Sequence, residues 1–141
     1  MTWNSILQKD AHPFLKPVDV KYSKCPDYFE IIKHPMDLGT IQKKFPGKGK
    51  QALRPSDPNT YSTPSEFRDD MRLVWSNCRT YNPPHVPVRN MGEAMSDQWE
   101  KRWSTSMIET KWEEELHRQN LEQQVLDPAP TTRFVFPLMV L

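Results

Sequence analysis

Apolar residues recur at helical intervals in four stretches of this chain. Trp3, Ile6 and Leu7 follow i, i+3, i+4 spacing, and Leu38, Ile41 and Phe45 follow i, i+3, i+7 after Asp37, whose short carboxylate suits a helix N-cap. The third stretch opens with Thr63-Pro64-Ser65-Glu66, a capping-box pattern with proline at the first helical position. It continues through Phe67, Met71, Val74, Trp75, Cys78 and Tyr81 to Asn82-Pro83-Pro84. A proline disfavours helical backbone in the residue before it, so this helix is predicted to stop at Asn82. The fourth stretch carries Met91, Met95, Trp99, Trp103, Met107, Ile108, Trp112 and Leu116 and reads as one helix of roughly 30 residues, its end projecting beyond the body.

Proline placement supports the same division. Of the 14 prolines none falls in residues 1–12, 36–45, 65–82 or 88–127, and proline inside a helix removes a hydrogen bond and clashes with the preceding turn. Apart from the last eight residues, no segment alternates with the period of a strand. The predicted class is therefore all-α, four amphipathic helices around one shared core.

The connections differ in character. Pro13 to Pro35 is long yet contains Phe14, Val18, Tyr22, Tyr28, Phe29, Ile31 and Ile32, too apolar for a solvated linker, so it is expected to pack and to line something. Within it, Pro26 to Ile32 has room for one or two helical turns. Phe45 to Tyr61, with Pro46, Gly47, Gly49, Pro55, Pro58, Asn59 and several lysines, reads as an exposed flexible loop.

Composition narrows the function classes. A length of 141 residues fits one domain with a sizeable core. A net charge of +1, from 19 basic and 18 acidic residues, offers no broad field for nucleic acid, so such attraction has to be local. Cys25 and Cys78 are too few for a disulfide scaffold and match no zinc spacing, and they read as reduced thiols. No apolar run near the start suits a signal peptide, and Phe134 to Leu141 is too short to cross a bilayer. HExxH, P-loop, GxSxG and dinucleotide signatures are absent, and His12, His34, His85 and His117 lack ligand spacing. No catalysis, metal, cofactor or membrane partner is expected, and the chain is expected to be a monomer.

An ordered series of motifs adds to this. His12-Pro13-Phe14, Pro17-Val18-Asp19, Pro26-Asp27-Tyr28-Phe29, Ile31-Ile32-Lys33-His34-Pro35-Met36-Asp37-Leu38-Gly39-Thr40-Ile41, and Asn77-Cys78 followed by Tyr81-Asn82-Pro83-Pro84 resemble the bromodomain family over about residues 3 to 107. The resemblance implies a left-handed four-helix bundle. Its long loop between the first and second helices and its shorter one between the third and fourth would enclose a pocket for acetylated lysine. It also implies a bromodomain over residues 2–122, with an inserted basic loop at about 46–60, and an accessory or disordered tail over 123–141.

Carried over motif by motif, Asn82 would donate its side-chain amide to the acetyl carbonyl and Tyr28 would contact the same oxygen through a water. Tyr81 would be a wall residue, Pro13 and Phe14 the shelf with His12, Val18 the side of the channel, and Val88 the gatekeeper. Cys25 and Cys78 complete the implied site, and Ser23 and Cys25 stand where relatives often carry leucines, which implies a wider or wetter mouth. The implied partners are acetylated histone or other acetylated protein peptides in the nucleus.

Plainer readings stand beside these. An asparagine before proline is favoured by local turn chemistry alone, and Tyr28 and Tyr81 are by default core aromatics. Trp99, Trp103 and Trp112 read most simply as a packing stripe. Lys43, Lys44, Lys48, Lys50 and Arg54 suggest weak DNA contact, against the plainer reading of a lysine-solubilised loop. A scaffold or DNA-contacting domain with an unused pocket is the alternative function. The first helix is short for the family, which puts its packing in question.

Overall fold

The computed structural model describes residues 9–45 and 57–126. In chain order it contains a 3-10 turn at Lys9–Phe14 and two one-turn helices, α1 (Val20–Ser23) and α2 (Tyr28–Ile31). Four further helices follow, α3 (Leu38–Lys43), α4 (Pro64–Tyr81), α5 (Pro87–Ser106) and α6 (Ile108–Leu126). The chain is all-helical, with no strand among the described residues. The helix expected around Trp3, Ile6 and Leu7 lies outside them, as do residues 46–56 and the tail from 127.

Helix α4 shows directly how local sequence sets an element. Thr63 sits in extended backbone, its hydroxyl accepts from the Glu66 N–H, and the Glu66 carboxylate reaches back to the Thr63 N–H, a reciprocal cap with Pro64 just inside. At the other end Asn82 takes an extended conformation, as the following Pro83 requires. Helix α3 starts the same way, with the Asp37 carboxylate accepting from the Thr40 N–H at 3.0 Å.

The core lies where α4 packs on α3, α5 and the 3-10 turn. Trp75, Met71, Leu38 and Ile41 are its fully buried large side chains. Trp99 and Trp103 stack at 5.3 Å, and Phe67 meets both. Two glycines permit close approaches. A Cβ at Gly39 would lie 2.5 Å from the Leu15 carbonyl oxygen, which accepts from the Gly39 N–H, and one at Gly92 would lie 2.7 Å from the Cys78 sulfur.

Three expectations need correction. The fourth stretch is two helices, not one, because Met107 adopts left-handed backbone (φ 53°) between α5 and α6. The compact body closes at Ile108, and the rest of α6 belongs to a second unit. That helix buries no side chain, so Trp112 is exposed and does not continue the buried pair Trp99 and Trp103. The long loop is also less uniformly packed than its composition suggests: Phe14, Tyr28 and Ile32 are buried, whereas Tyr22, Phe29 and Ile31 are exposed.

The third correction concerns the basic loop. Its C-terminal foot is not solvated: Thr60 is buried, and the Tyr61 hydroxyl donates to Asp70 at 2.8 Å. Lys44 donates to the same carboxylate and lies 4.7 Å above the Tyr61 ring, so this ammonium is paired within the fold. Lys43 is exposed, and Lys48, Lys50 and Arg54 lie outside the described residues. No described helix is long and apolar enough to cross a membrane.

Candidate functional site

The long loop before α3 and the connection between α4 and α5 face one cavity of about 600 Å³. Pro13, Phe14, Val18, Cys25, Tyr28, Cys78, Tyr81, Asn82 and Val88 all border it, and so do His12 and Ser23. The fold thus brings together side chains as far apart in sequence as residues 13 and 88.

Asn82 occupies the junction. Leaving the helix in extended backbone, it keeps its N–H on the Cys78 carbonyl at 3.1 Å, and its side-chain amide donates to that same oxygen at 3.0 Å. A carboxamide carries two N–H donors. The other has only a weak acceptor nearby, the Cys78 sulfur at 3.8 Å, which a carbonyl oxygen would readily replace. Arg89 secures the connection from below, donating to the Arg79 and Asn82 carbonyls at 2.7 and 2.9 Å while its Nε holds Glu93. A guanidinium against the last carbonyls of a helix also suits the negative end of its dipole.

The opposite wall is set by the long loop, which Asn77 ties to α4 by donating to the His34 carbonyl at 2.8 Å. Tyr28 is buried, with its ring edge-on to Tyr81 at 4.9 Å. Burial first, then the neighbouring Cys78, Cys25 and Asp37, raises its phenol pKa, so the group stays a protonated donor. The Tyr81 phenol is likewise raised, by hydrogen bonding to Cys25 and to Asp27, and its hydroxyl donates to Asp27 at 2.7 Å.

The two thiols differ. Cys78 is buried, and burial raises its pKa above the ordinary thiol value despite hydrogen bonding from Asn82 and nearby arginines. Cys25 is half-buried, its Sγ donating to the Ser23 carbonyl at 3.1 Å. Iodoacetamide at mildly alkaline pH is accordingly expected to label Cys25 in the folded protein and to spare Cys78 until denaturant is added. Mass spectrometry of the labelled peptides checks this, and equal labelling rates would contradict the burial.

Sequence reasoning missed part of the lining. Met36, Asp37 and Val74 border the cavity although they read as motif, cap and core residues, and Leu15, Lys16, Pro17, Asp19 and Tyr22 extend its loop side. Arg89, which with Asn77 positions these walls, carried no pattern of its own. Among the described residues no group of three or more His, Cys, Asp or Glu is placed to hold a metal ion. What the arrangement offers is an apolar slot, walled by Val18, Phe14, Val74 and Val88, bordered by the Asn82 amide and by the phenols of Tyr28 and Tyr81.

A family model for the bromodomain matches residues 4–93. Over 93 residues the chain is 44% identical to the SWR1 complex bromodomain subunit bdf1 of Schizosaccharomyces pombe, covering 66% of this chain and 14% of that protein. It is 45% identical over 98 residues to transcription factor GTE11 of Arabidopsis thaliana, covering 70% of this chain and 14% of that protein. With bromodomain-containing factor 1 of Candida albicans the identity is 38% over 96 residues, 68% of this chain and 12% of that protein. The chain therefore spans about a seventh of the length of these relatives.

Proposed function

The chain belongs to the bromodomain family, and from that premise we propose that its cavity binds Nε-acetylated lysine on histone tails or other nuclear proteins, as a chromatin reader without catalysis. The observation that carries the reading is the carboxamide of Asn82, held at the end of α4 beside an apolar cavity with one donor hydrogen weakly engaged.

Acetyl-lysine is a neutral amide on an apolar stem. The slot buries the stem, and Asn82 supplies the hydrogen bond that the acetyl oxygen loses on leaving water. A protonated lysine would be stripped of water against a donor that cannot accept from it, which costs more than the ~2–7 kcal/mol of an unpaired neutral amide. Tyr28, kept protonated by burial, is suited to donate to a water beside the same oxygen. Discrimination in this scheme comes more from exclusion than from attraction.

One hydrogen bond contributes about 1 kcal/mol and a short buried stem about 2–4 more, so weak single-site affinity, on the order of 0.2 to 6 mM, is expected from these contacts. Weak binding of this kind suits a module acting beside others in a longer protein. Calorimetry with acetylated and unmodified histone-tail peptides tests the proposal. Saturable binding confined to the acetylated form is expected, and equal binding to both forms would refute it.

The cavity's breadth yields a second expectation. Ser23 and Cys25 leave its loop side smaller and more polar than two leucines would, so a butyryl-lysine peptide should bind within about tenfold of its acetyl counterpart, a penalty below ~1.4 kcal/mol. Competition titration measures this ratio, and strict acetyl preference would count against the wider slot.

A further inference from the structure

Resting on the reading of the cavity as an acyl-lysine pocket, we infer that the α1 turn is a subsite for the residue next to the modified lysine in a bound peptide. Tyr22 is its platform, and Lys21 and Lys24 give it a preference for an acidic neighbour.

Tyr22 is 88% exposed, the most exposed of the large hydrophobic side chains among the described residues, yet it borders the cavity. An aromatic ring standing in water at the lip of a pocket has apolar area left to bury once a peptide emerges from that pocket. Helix α1 buries none of its own residues, so packing does not explain the ring's position. The turn is fixed by its backbone instead. The Asp19 carboxylate accepts from the Lys21 N–H at 2.9 Å, the Ser23 N–H returns to the Asp19 carbonyl at 2.8 Å, and Lys24 closes the turn in left-handed conformation (φ 53°). A tyrosine on a rigid turn orders only two side-chain torsions when it makes a contact, which favours it as a recognition surface.

Charge around the ring supplies the preference. Lys16 borders the cavity, and Lys21 and Lys24 bracket Tyr22. Of the acidic groups in this loop, Asp19 is held in the α1 cap, Asp27 by the Tyr81 hydroxyl and Asp37, buried, in the α3 cap, while Glu30 is exposed on α2. A basic neighbour of the modified lysine therefore meets like charge, and an acidic one meets its complement.

The test uses the full chain with short peptides bearing one acetyl-lysine flanked on both sides by Glu, Ala or Lys, and with acetyl-lysine blocked at both ends as a flank-free ligand. The parent should bind in the order Glu, Ala, Lys, with about three- to tenfold between the extremes, shrinking as salt is raised. Tyr22→Ala should weaken all three peptides about three- to tenfold more than it weakens the blocked amino acid, with the melting temperature unchanged. Replacing Lys21 and Lys24 by alanine should flatten the charge order. Unaltered peptide affinity in Tyr22→Ala, or the same order without the two lysines, overturns the subsite. Failure of the parent to bind the blocked amino acid at all overturns the pocket reading, and the subsite with it.

Discussion

Asn82→Ala is expected to weaken binding of an acetylated histone peptide about 5- to 150-fold while leaving the fold in place. The range corresponds to about 1–3 kcal/mol for burying an acetyl oxygen without its donor. The cost to the fold is smaller because the Cys78 carbonyl that accepts from the side-chain amide also accepts from the Asn82 backbone N–H, which alanine retains. A stability loss of about 0.5–1.5 kcal/mol follows, so a thermal melt run beside the calorimetry separates lost recognition from lost structure. Asn82→Asp sharpens the test. The carboxylate keeps the shape but accepts where the amide donates, so acetyl binding should fall comparably while a protonated lysine finds a partner. The preference for the acetylated peptide should then narrow. Undiminished acetyl binding in either variant would remove Asn82 from the site.

The largest structural effect is expected at Trp75, which is 1% exposed and packs edge-on to Phe14 with ring centroids 5.4 Å apart. Trp75→Ala should cost about 3–5 kcal/mol, against a total of about 5–15 for a typical domain, and lower the melting temperature by more than about 10 °C. Phe14 borders the cavity, so the variant should also bind acetylated peptide more weakly wherever it remains folded. Trp75→Phe is the informative contrast. The indole N–H is buried without a partner, and removing it offsets part of the lost burial, so this change should cost no more than about 2 kcal/mol. Urea midpoints for the three proteins decide the matter. A phenylalanine variant as unstable as the alanine one would mean that the unsatisfied donor carries no penalty.

How far the sequence reached depended on whether a feature was local. The cap at Thr63, the stop at Asn82 and the start at Asp37 are written in a few adjacent residues, and the structure follows each of them. The cavity side chains could be named together because ordered motifs identified them, although periodicity alone gave Tyr28, Val74 and Cys78 no more than a core role. The break at Met107 had no such mark, since Met107 and Ile108 continue the helical spacing and neither glycine nor proline interrupts it. Lys44 misled for the opposite reason. A run of lysines looks solvated until the fold brings up a carboxylate 26 residues away. Arg89 was equally silent, because its role lies in reaching backbone carbonyls of the preceding helix.

The clasp that retains Lys44 bears on how freely this protein can be re-engineered. The Tyr61 N–H donates to the Lys44 carbonyl at 3.2 Å, and both side chains meet at Asp70, so residues 44 and 61 are held together at one point of the body. The entropy of closing such a stretch grows only with the logarithm of its length, about 0.6 kcal/mol for each doubling. A flexible epitope inserted between these two residues would therefore add little to the cost of folding.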